Sequence, residues 1–276
     1  MGRELSQETE DNDTTYNYLP RTQHRRPSLP TEQRKWQIHR KDIAKAIKIS
    51  GNSAPGPDGI PYNAWRRSGD LATQIPLDVA DTLQSDTGIT RLQNMHGNDT
   101  RPEGHNFNQG LLICLGKKPH SEHPDYGQVF RPESTRPLSI VNTDNRLIAN
   151  AARLRWERLL NPWISPQQQG FLPNRSILTN VLDIDYAAMV TALSNNTGTL
   201  VLFDFASAFP SMSQAYMFNL LTALGVPRNA RHLIQALYDN NRCTVQTNGA
   251  QVDGFKMTAG VRQGCPLSPL LYAICA

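Results

Sequence analysis

Asp204 closes a run of four apolar residues, Leu200 to Phe203, and is followed by Phe205-Ala206-Ser207-Ala208-Phe209. Such a run has the composition of a strand buried on both faces, so the sequence predicts a carboxylate at a strand's carboxyl end. Ala206, Ser207 and Ala208 are small and leave room for a ligand beside that carboxylate, while Phe209 returns a large flat side chain to the same place. That suits a metal-bound nucleotide. The plainer alternative is that Asp204 caps the helix that follows. A second stretch with chemical potential is Gly260-Val261-Arg262-Gln263-Gly264-Cys265-Pro266-Leu267-Ser268-Pro269, a glycine-lined loop opening a helix at Ser268. Its backbone can approach a ligand closely. Lys117, Lys118, Arg131 and Arg136 gather at strand junctions, where they either meet an anion or stand as solvated hairpin residues.

Several elements must position these residues. Ile43 and Ile47, four apart among Lys41, Lys45 and Lys48, predict a helix over 38–49 with a buried stripe and a basic face. Residues 53–61, with three prolines and two glycines, form a rigid loop. Residues 84–108 read as a variable surface insertion, followed by a buried strand at 110–116 and further strands at 129–130 and 137–141. Asn142-Thr143-Asp144 starts a helix of about five turns, closed by Pro162, whose outer face carries Arg146, Arg153 and Arg155. Gln169 to Ser176 is a loop, and Ile177, Val181, Ile184 and Ala188 continue as a helix leading into the Leu200–Phe203 strand. Beyond it, one amphipathic helix stops at Gly225 and Pro227 and a second runs to about Tyr238. Residues 243–247 and 251–255 make a hairpin about Asn248-Gly249.

The 276 residues can hold one large domain or two small ones, but 19 prolines and a mean hydropathy of −0.49 indicate that part of the chain is not core. The net charge of +4 is unevenly spread. Residues 1–15 carry five acids against Arg3, whereas residues 21–48 carry nine bases against Glu32 and Asp42. A basic block after an acidic lead fits either a polyanion partner or a solvated, disordered arm. Cys114, Cys243, Cys265 and Cys275 lack metal-site spacing and give no disulfide framework, which fits reduced thiols inside a cell. With no signal peptide and no apolar stretch of the ~18 residues a membrane helix needs, the expectation is an intracellular protein of nucleus or cytoplasm, without membrane contact.

Asp204-x-x-x-Ala208-Phe209 resembles the first catalytic motif of reverse transcriptases, and Gln263-Gly264-x-Pro266-x-Ser268-Pro269 is similar to the loop and helix that floor their nucleotide site. Ala54-Pro55-Gly56-Pro57-Asp58-Gly59, Arg136-Pro137-Leu138-Ser139-Ile140 and Gln169-Gly170-Phe171 with Arg175-Ser176 resemble fingers motifs of the non-LTR (LINE-type) retrotransposon branch, in the same order. The resemblance runs from about Arg40 to Ala276. It implies an α+β fold, the fingers and palm of a right-hand polymerase, with an antiparallel, ferredoxin-like palm sheet backed by helices. The division it implies is a disordered polar segment at 1–35, a fingers-like region at 36–198 and a partial palm at 199–276.

The resemblance also implies template-directed addition of deoxynucleoside triphosphates to a DNA primer on an RNA template. Two Mg²⁺ ions would serve that chemistry, with Asp204 as ligand to both and the Phe205 carbonyl completing one shell. Arg136, with Arg131 and Lys118 as weaker candidates, would neutralise the triphosphate. Phe209, next to Ala208, would pack against the sugar and exclude a 2′-hydroxyl, and Gln263 with the Gly264 backbone would line the sugar and base pocket. Arg175, Ser268 and Pro269 would meet the nucleic acid, with a helix-start ion pair as the alternative for Arg175. One departure limits this reading: such enzymes carry an aromatic-x-Asp-Asp hairpin after the Ser-Pro helix, and the acids here after Asp204 are Asp239 and Asp253. The terminal Leu270–Ala276 run reads as a helix cut short. The expectation is therefore a fragment of an RNA-directed DNA polymerase, inactive alone. The alternatives are a domesticated, catalytically dead RNA-binding module and an unrelated Mg²⁺-dependent phosphoryl-transfer enzyme, which would need further carboxylates near Asp204.

Overall fold

The computed structural model describes residues 28–97, 106–194, 197–247 and 249–276, with backbone alone at 95–97. Helices α1 (Gln33–Trp36), α2 (Arg40–Ile49), α3 (Tyr62–Arg67), α4 (Leu71–Gln84) and α5 (Gly88–Gly97) precede strand β1 (Gly110–Gly116). The short strands β2 (Ser121–His123) and β3 (Gly127–Val129), a 3-10 turn at Pro132–Ser134 and strand β4 (Thr135–Val141) lead into the long helix α6 (Thr143–Leu160). Then come α7 (Ile177–Leu193), the single turn α8 (Ala208–Ser211), α9 (Gln214–Ala223) and α10 (Arg228–Tyr238). The hairpin of β5 (Arg242–Thr247) and β6 (Ala250–Lys256) and helix α11 (Ser268–Cys275) complete the order.

The main sheet runs β4-β1-β5-β6 and is mixed. β1 is antiparallel to β4, with Gly110 opposite Val141, and parallel to β5, with Gly110 opposite Cys243. An antiparallel palm sheet was the expectation; β5 and β6 do pair antiparallel, but β5 also joins β1, from outside the expected palm, in parallel. A parallel pair appears because the chain leaves β1 on a long excursion through α6–α10 before β5 returns beside it, and parallel neighbours need such a crossover. The expected β5–β6 hairpin forms, with Gly249 at φ +78°; Asn248 lies outside the described residues.

One core joins the helices. Trp36 and Trp156 are each 1% exposed, with ring centroids 5.7 Å apart. The Trp36 carbonyl accepts from Trp156 Nε1 at 2.8 Å and from Gln84 Nε2 at 3.2 Å, tying α1, α4 and α6 at one point. Leu29 is buried beside them and Trp36 Nε1 donates to Pro30 O, so packing begins within the segment expected to be disordered to residue 35; residues 1–27 lie outside the described part. Part of the expected insertion is likewise core: α5 places Leu92 at 5% exposure, and Asn108 is fully buried. Residues 98–105 lie outside the described residues.

Two further expectations are corrected. The arginines of α6 do not form a free basic face: Arg146 is buried, Arg153 pairs with Glu157, and Arg155 meets Asp42 of α2 at 3.4 Å. Packing α2 across α6 turned that face inward. Residues 200–203 do not form a strand buried on both faces. They run as extended chain outside the sheet, from 60% exposed at Val201 to 87% at Phe203. Ladder hydrogen bonds require a neighbour, and no described strand lies beside this segment. Helix α7, which leads to it, buries none of its residues.

The loop at 53–61 docks on the start of α6. Asp58 N donates to Asn142 Oδ1 at 3.1 Å, and Trp65 Nε1 to Thr143 Oγ1 at 2.7 Å. Burial there pushes the Asp144 carboxyl up to about 6, with the Asp58 charge adding to the shift, while the Asn145 N–H opposes it. In the unfolded chain Asp144 titrates near 4, so between about pH 4 and 6 the folded chain holds a proton that the unfolded chain has lost. Stability from this group therefore falls as pH rises through that window and stays lower above it. Asp144→Asn removes the ionisation: its Tm is expected to exceed wild type at pH 7.5 and to match it near pH 4, as read by thermal melts across that range.

Candidate active site

Asp204 lies at the end of the extended segment, exposed, with no ion pair among the described residues. Phe205 is 72% exposed. Ser207 then takes a left-handed conformation, φ +53°, which turns the chain into α8, where Ala208 is the first residue. The turn does what a run of small residues permits: it reverses direction within three positions and brings Phe209 back against the body of the protein.

From Phe209 onward the segment is fixed. Val261 N donates to Phe209 O at 2.9 Å, Gly260 N to Met212 O at 2.7 Å, and Gln214 Nε2 to Gly260 O at 3.1 Å. The two chains lie so close that a Cβ on Gly260, at φ +80°, would stand 2.7 Å from Pro210 O and 2.9 Å from Phe209 O. Two residues further, Ser139 N of β4 donates to Gln263 O at 2.9 Å, and Gly264, φ +104°, passes within 2.8 Å of Ser139 O at its absent Cβ. The Arg136–Ile140 strand, the Phe209 turn and the Gly260–Gly264 loop thus converge through their backbones. A cavity of about 360 Å³ opens where they meet, with Pro137, Ser139, Pro210, Phe255 and Gln263 in its wall.

Inside the loop, Arg262 is 4% exposed. Its Nη2 donates to Asn145 Oδ1 at 3.3 Å, and its guanidinium lies 5.5 Å from the Tyr238 ring centroid. Burial, with Cys265 second, pushes the Tyr238 phenol up to about 12, against the pull of Arg262, so it stays protonated and shares a hydrogen bond with Ser268 Oγ at 3.3 Å. Burial also pushes the Cys275 thiol up to about 12, leaving it unreactive at neutral pH.

The other expected residues divide. Arg136 is exposed on β4, opposite Leu115 of β1, and Lys118 is exposed just past β1. Arg131 is exposed and spends Nη2 on His120 at 3.1 Å. The Arg175 guanidinium donates to the carbonyls of Asn161, Ile164, Ser165 and Gln168, and the helix-start ion pair is not what holds it. No acid is needed there, since the turn after α6 leaves four carbonyls facing inward. Ser268 is fully buried on Tyr238, and Pro269 sits in the first turn of α11, half-buried. Phe171 and Tyr272 reach the site without any signal from their own spacing. Their ring centroids lie 5.7 Å and 4.9 Å from that of Phe209.

No group of three or more His, Cys, Asp or Glu side chains able to hold a metal occurs among the described residues. Asp204 with the Phe205 carbonyl supplies fewer oxygens than the six or so that Mg²⁺ requires, so this chain's described residues do not by themselves fit a two-metal centre.

Residues 117–276 match the family described as Reverse transcriptase (RNA-dependent DNA polymerase). The chain is similar to the retrovirus-related Pol polyprotein from type-2 retrotransposable element R2DM of Drosophila melanogaster, 25% identical over 247 residues, 87% of this chain and 20% of that protein. It is also similar to the transposon TX1 uncharacterized 149 kDa protein of Xenopus laevis, 30% identical over 79% of this chain and 18% of the other. The Pol polyprotein of the type-1 retrotransposable element R2 of Popillia japonica is 25% identical over 85% of this chain and 29% of its own length. The chain therefore spans well under a third of each of these relatives.

The close approaches at Gly260 give a direct check. Gly260→Ala must both hold a positive φ and displace the Pro210 carbonyl, and it is expected to cost on the order of 2 kcal/mol or more. Gly51→Ala, with open space around it, should change little. Urea denaturation of the two variants against wild type measures the difference.

Proposed function

Because this chain belongs to the reverse transcriptase family, we propose that it forms the fingers and the nucleotide-binding half of an RNA-directed DNA polymerase of the non-LTR retrotransposon type. The observation that carries the reading is the convergence of the Arg136–Ile140 strand, the Phe209 turn and the Gln263–Gly264 loop through Ser139, Gly260 and Val261. These segments are far apart in sequence and share one site. A nucleotide held there would have its triphosphate neutralised by Arg136, and by Lys118 and Arg131 if they turn to it. Its sugar would lie on Phe209 and its base beside Gln263 and the Gly264 backbone. RNA template, DNA primer and deoxynucleoside triphosphates are the partners of this reading. No described helix is long and apolar enough to cross a membrane.

The family's chemistry uses a divalent metal, Mg²⁺ in this reading, which when bound would supply Lewis-acid chemistry. Asp204 would give it one carboxylate. Further carboxylates come, under this proposal, from an Asp-Asp hairpin that pairs with residues 200–203, giving that exposed apolar segment the neighbours a two-face-buried strand needs. The chain alone is then catalytically silent. A module that only binds RNA remains the second reading, and the exposed lysines 41, 45 and 48 of α2 favour it as far as binding goes.

The test is primer extension on an RNA template. The 276-residue chain should add no nucleotides with Mg²⁺ or Mn²⁺. Joined to the Asp-Asp segment of an R2 relative it should extend the primer, and Asp204→Asn should abolish that activity. Extension by the chain alone that disappears in Asp204→Ala would show the carboxylate set to be complete. An RNA-binding module without polymerase ancestry of function would stay silent in the joined form.

A companion measurement concerns binding. The chain should bind primed RNA without sequence preference, with affinity falling roughly tenfold or more between 50 and 200 mM salt as condensed counterions lose their advantage. A flat dependence would exclude phosphate tracking.

A further inference from the structure

Phe171 is out of keeping with its surroundings. It holds a left-handed backbone, φ +65°, that disfavours any L-residue, and its side chain is 60% exposed, so it adds little to the core. The loop that carries it is nonetheless fixed, because the Arg175 guanidinium binds four backbone carbonyls between Asn161 and Gln168. A strained residue that the surrounding structure over-determines is a signal of a positional task. The only ring contact Phe171 makes among the described residues is with Phe209, centroids 5.7 Å apart and planes at 57°. Phe209 meets Tyr272 at 4.9 Å and 31° on its own account.

We propose that Phe171 is a positioning residue for sugar selection: it and Tyr272 clamp the Phe209 ring between them, and the Arg175-pinned loop supplies the rigidity of one jaw. The inference rests on the nucleotide reading of the site given above. A wall excludes an extra hydroxyl only if it cannot yield, since the discrimination arises from the cost of overpacking a rigid space. The Phe209 backbone is anchored by Val261, but its half-buried ring sits on a single helical turn preceded by an exposed, extended segment, so the ring depends on its neighbours for support. Tyr272 stands on α11, whose core side is buried at Leu270, Leu271 and Ile274. Phe171 is the second support. Without it the ring would lose one of its two ring contacts and could swing away from a ribose.

The experiment is equilibrium binding of dGTP and GTP, each with Mg²⁺, to the full 276-residue chain, read as the ratio of the two dissociation constants. Wild type should favour dGTP by roughly tenfold, Phe209→Ala should bring the ratio near one, and Phe171→Ala should lower it by about threefold or more. Phe171→Tyr, which keeps the ring, should retain the wild-type ratio. Combining Phe171→Ala with Phe209→Ala should lower the ratio no further than Phe209→Ala alone, because Phe171 acts through that ring. A role confined to stability would weaken both nucleotides equally. An unmoved ratio in Phe171→Ala, beside a moved one in Phe209→Ala, overturns the inference and leaves the nucleotide site standing. Failure of wild type to bind either nucleotide overturns the nucleotide reading and the inference together. Thermal melts of each variant confirm that the ratio is read on folded protein; should Phe171→Ala not fold, Phe171→Leu replaces it under the same criteria.

Discussion

The first turn of α6 is the constraint on which the rest depends. Asn142 accepts from Asp58 N and stands where a Cβ on Gly56 would come within 2.5 Å, so the 53–61 loop can seat there only with glycine at that point. Thr143 accepts from Trp65 and donates to Ile60 O at 2.9 Å. Arg146 closes the same loop through Ser53 and Ala54 and lies 5.1 Å from the Tyr62 ring centroid. Asn145 faces the other way, accepting from Arg262 and donating to Asn108 at 3.0 Å, which in turn binds the carbonyls of Ala236 and Asp239. Because β4 runs directly into this turn, the strand, two loops and the end of α10 are registered against one another by Asn142, Thr143, Asn145 and Arg146.

Such a hub is costly to bury and specific once satisfied, since each orphaned group in it would forfeit its solvation. It explains why a loop of prolines and glycines with no secondary structure of its own holds one shape. It also explains how Gln263 is placed. Arg262, adjacent in sequence, is held by Asn145 and by the Tyr238 face, and Gln263 then meets β4 by a backbone bond to Ser139. The Gly260–Gly264 loop is thus held by Asn145 and Tyr238, which lie outside the cavity wall that Gln263 helps to form.

Much of this was legible in the chain. The strand at 110–116, though not the burial expected of it, since it is exposed from Cys114 to Gly116, the helix begun by Asn142-Thr143, the hairpin about Gly249 and the helix opening at Ser268 follow from apolar runs, caps and turn residues, which act locally. The parallel β1–β5 pairing was not legible, because it depends on where a long excursion returns. Nor was the inward turn of Arg146 and Arg155: a charge on a helix reads as solvated until a second helix covers it, and Asp42 and the carbonyl of Ala54 lie far off in sequence. The four carbonyls that Arg175 gathers were not legible for the same reason: nothing in an arginine's own neighbours says where the turn after α6 will leave them. The Phe171 and Tyr272 contacts with Phe209 join three separate motifs, and no spacing within any one of them encodes the meeting.

The site divides along a physical line. Everything from Phe209 to Gln214 and from Gly260 to Ser268 is held by bonds internal to this chain, whereas Leu200 to Phe205 has none of the packing its composition calls for. Helix α7 shares that property: Leu178, Leu182 and Leu193 are each about two-thirds exposed or more, and an apolar helix face is ordinarily packed against a neighbour. Under the polymerase reading, a wall for sugar and base needs only fixed backbone and packed rings, and the Phe209 turn and the Gly260–Gly264 loop would supply them. A carboxylate that must meet a metal with tenth-of-an-ångström tolerance needs its strand locked on both sides. Under the polymerase reading, recognition of the nucleotide and assembly of the metal site are therefore separable. Under the same reading, cover over α7 and residues 200–205 would fix Asp204 relative to Phe209 and so couple completion of the fold to the onset of chemistry.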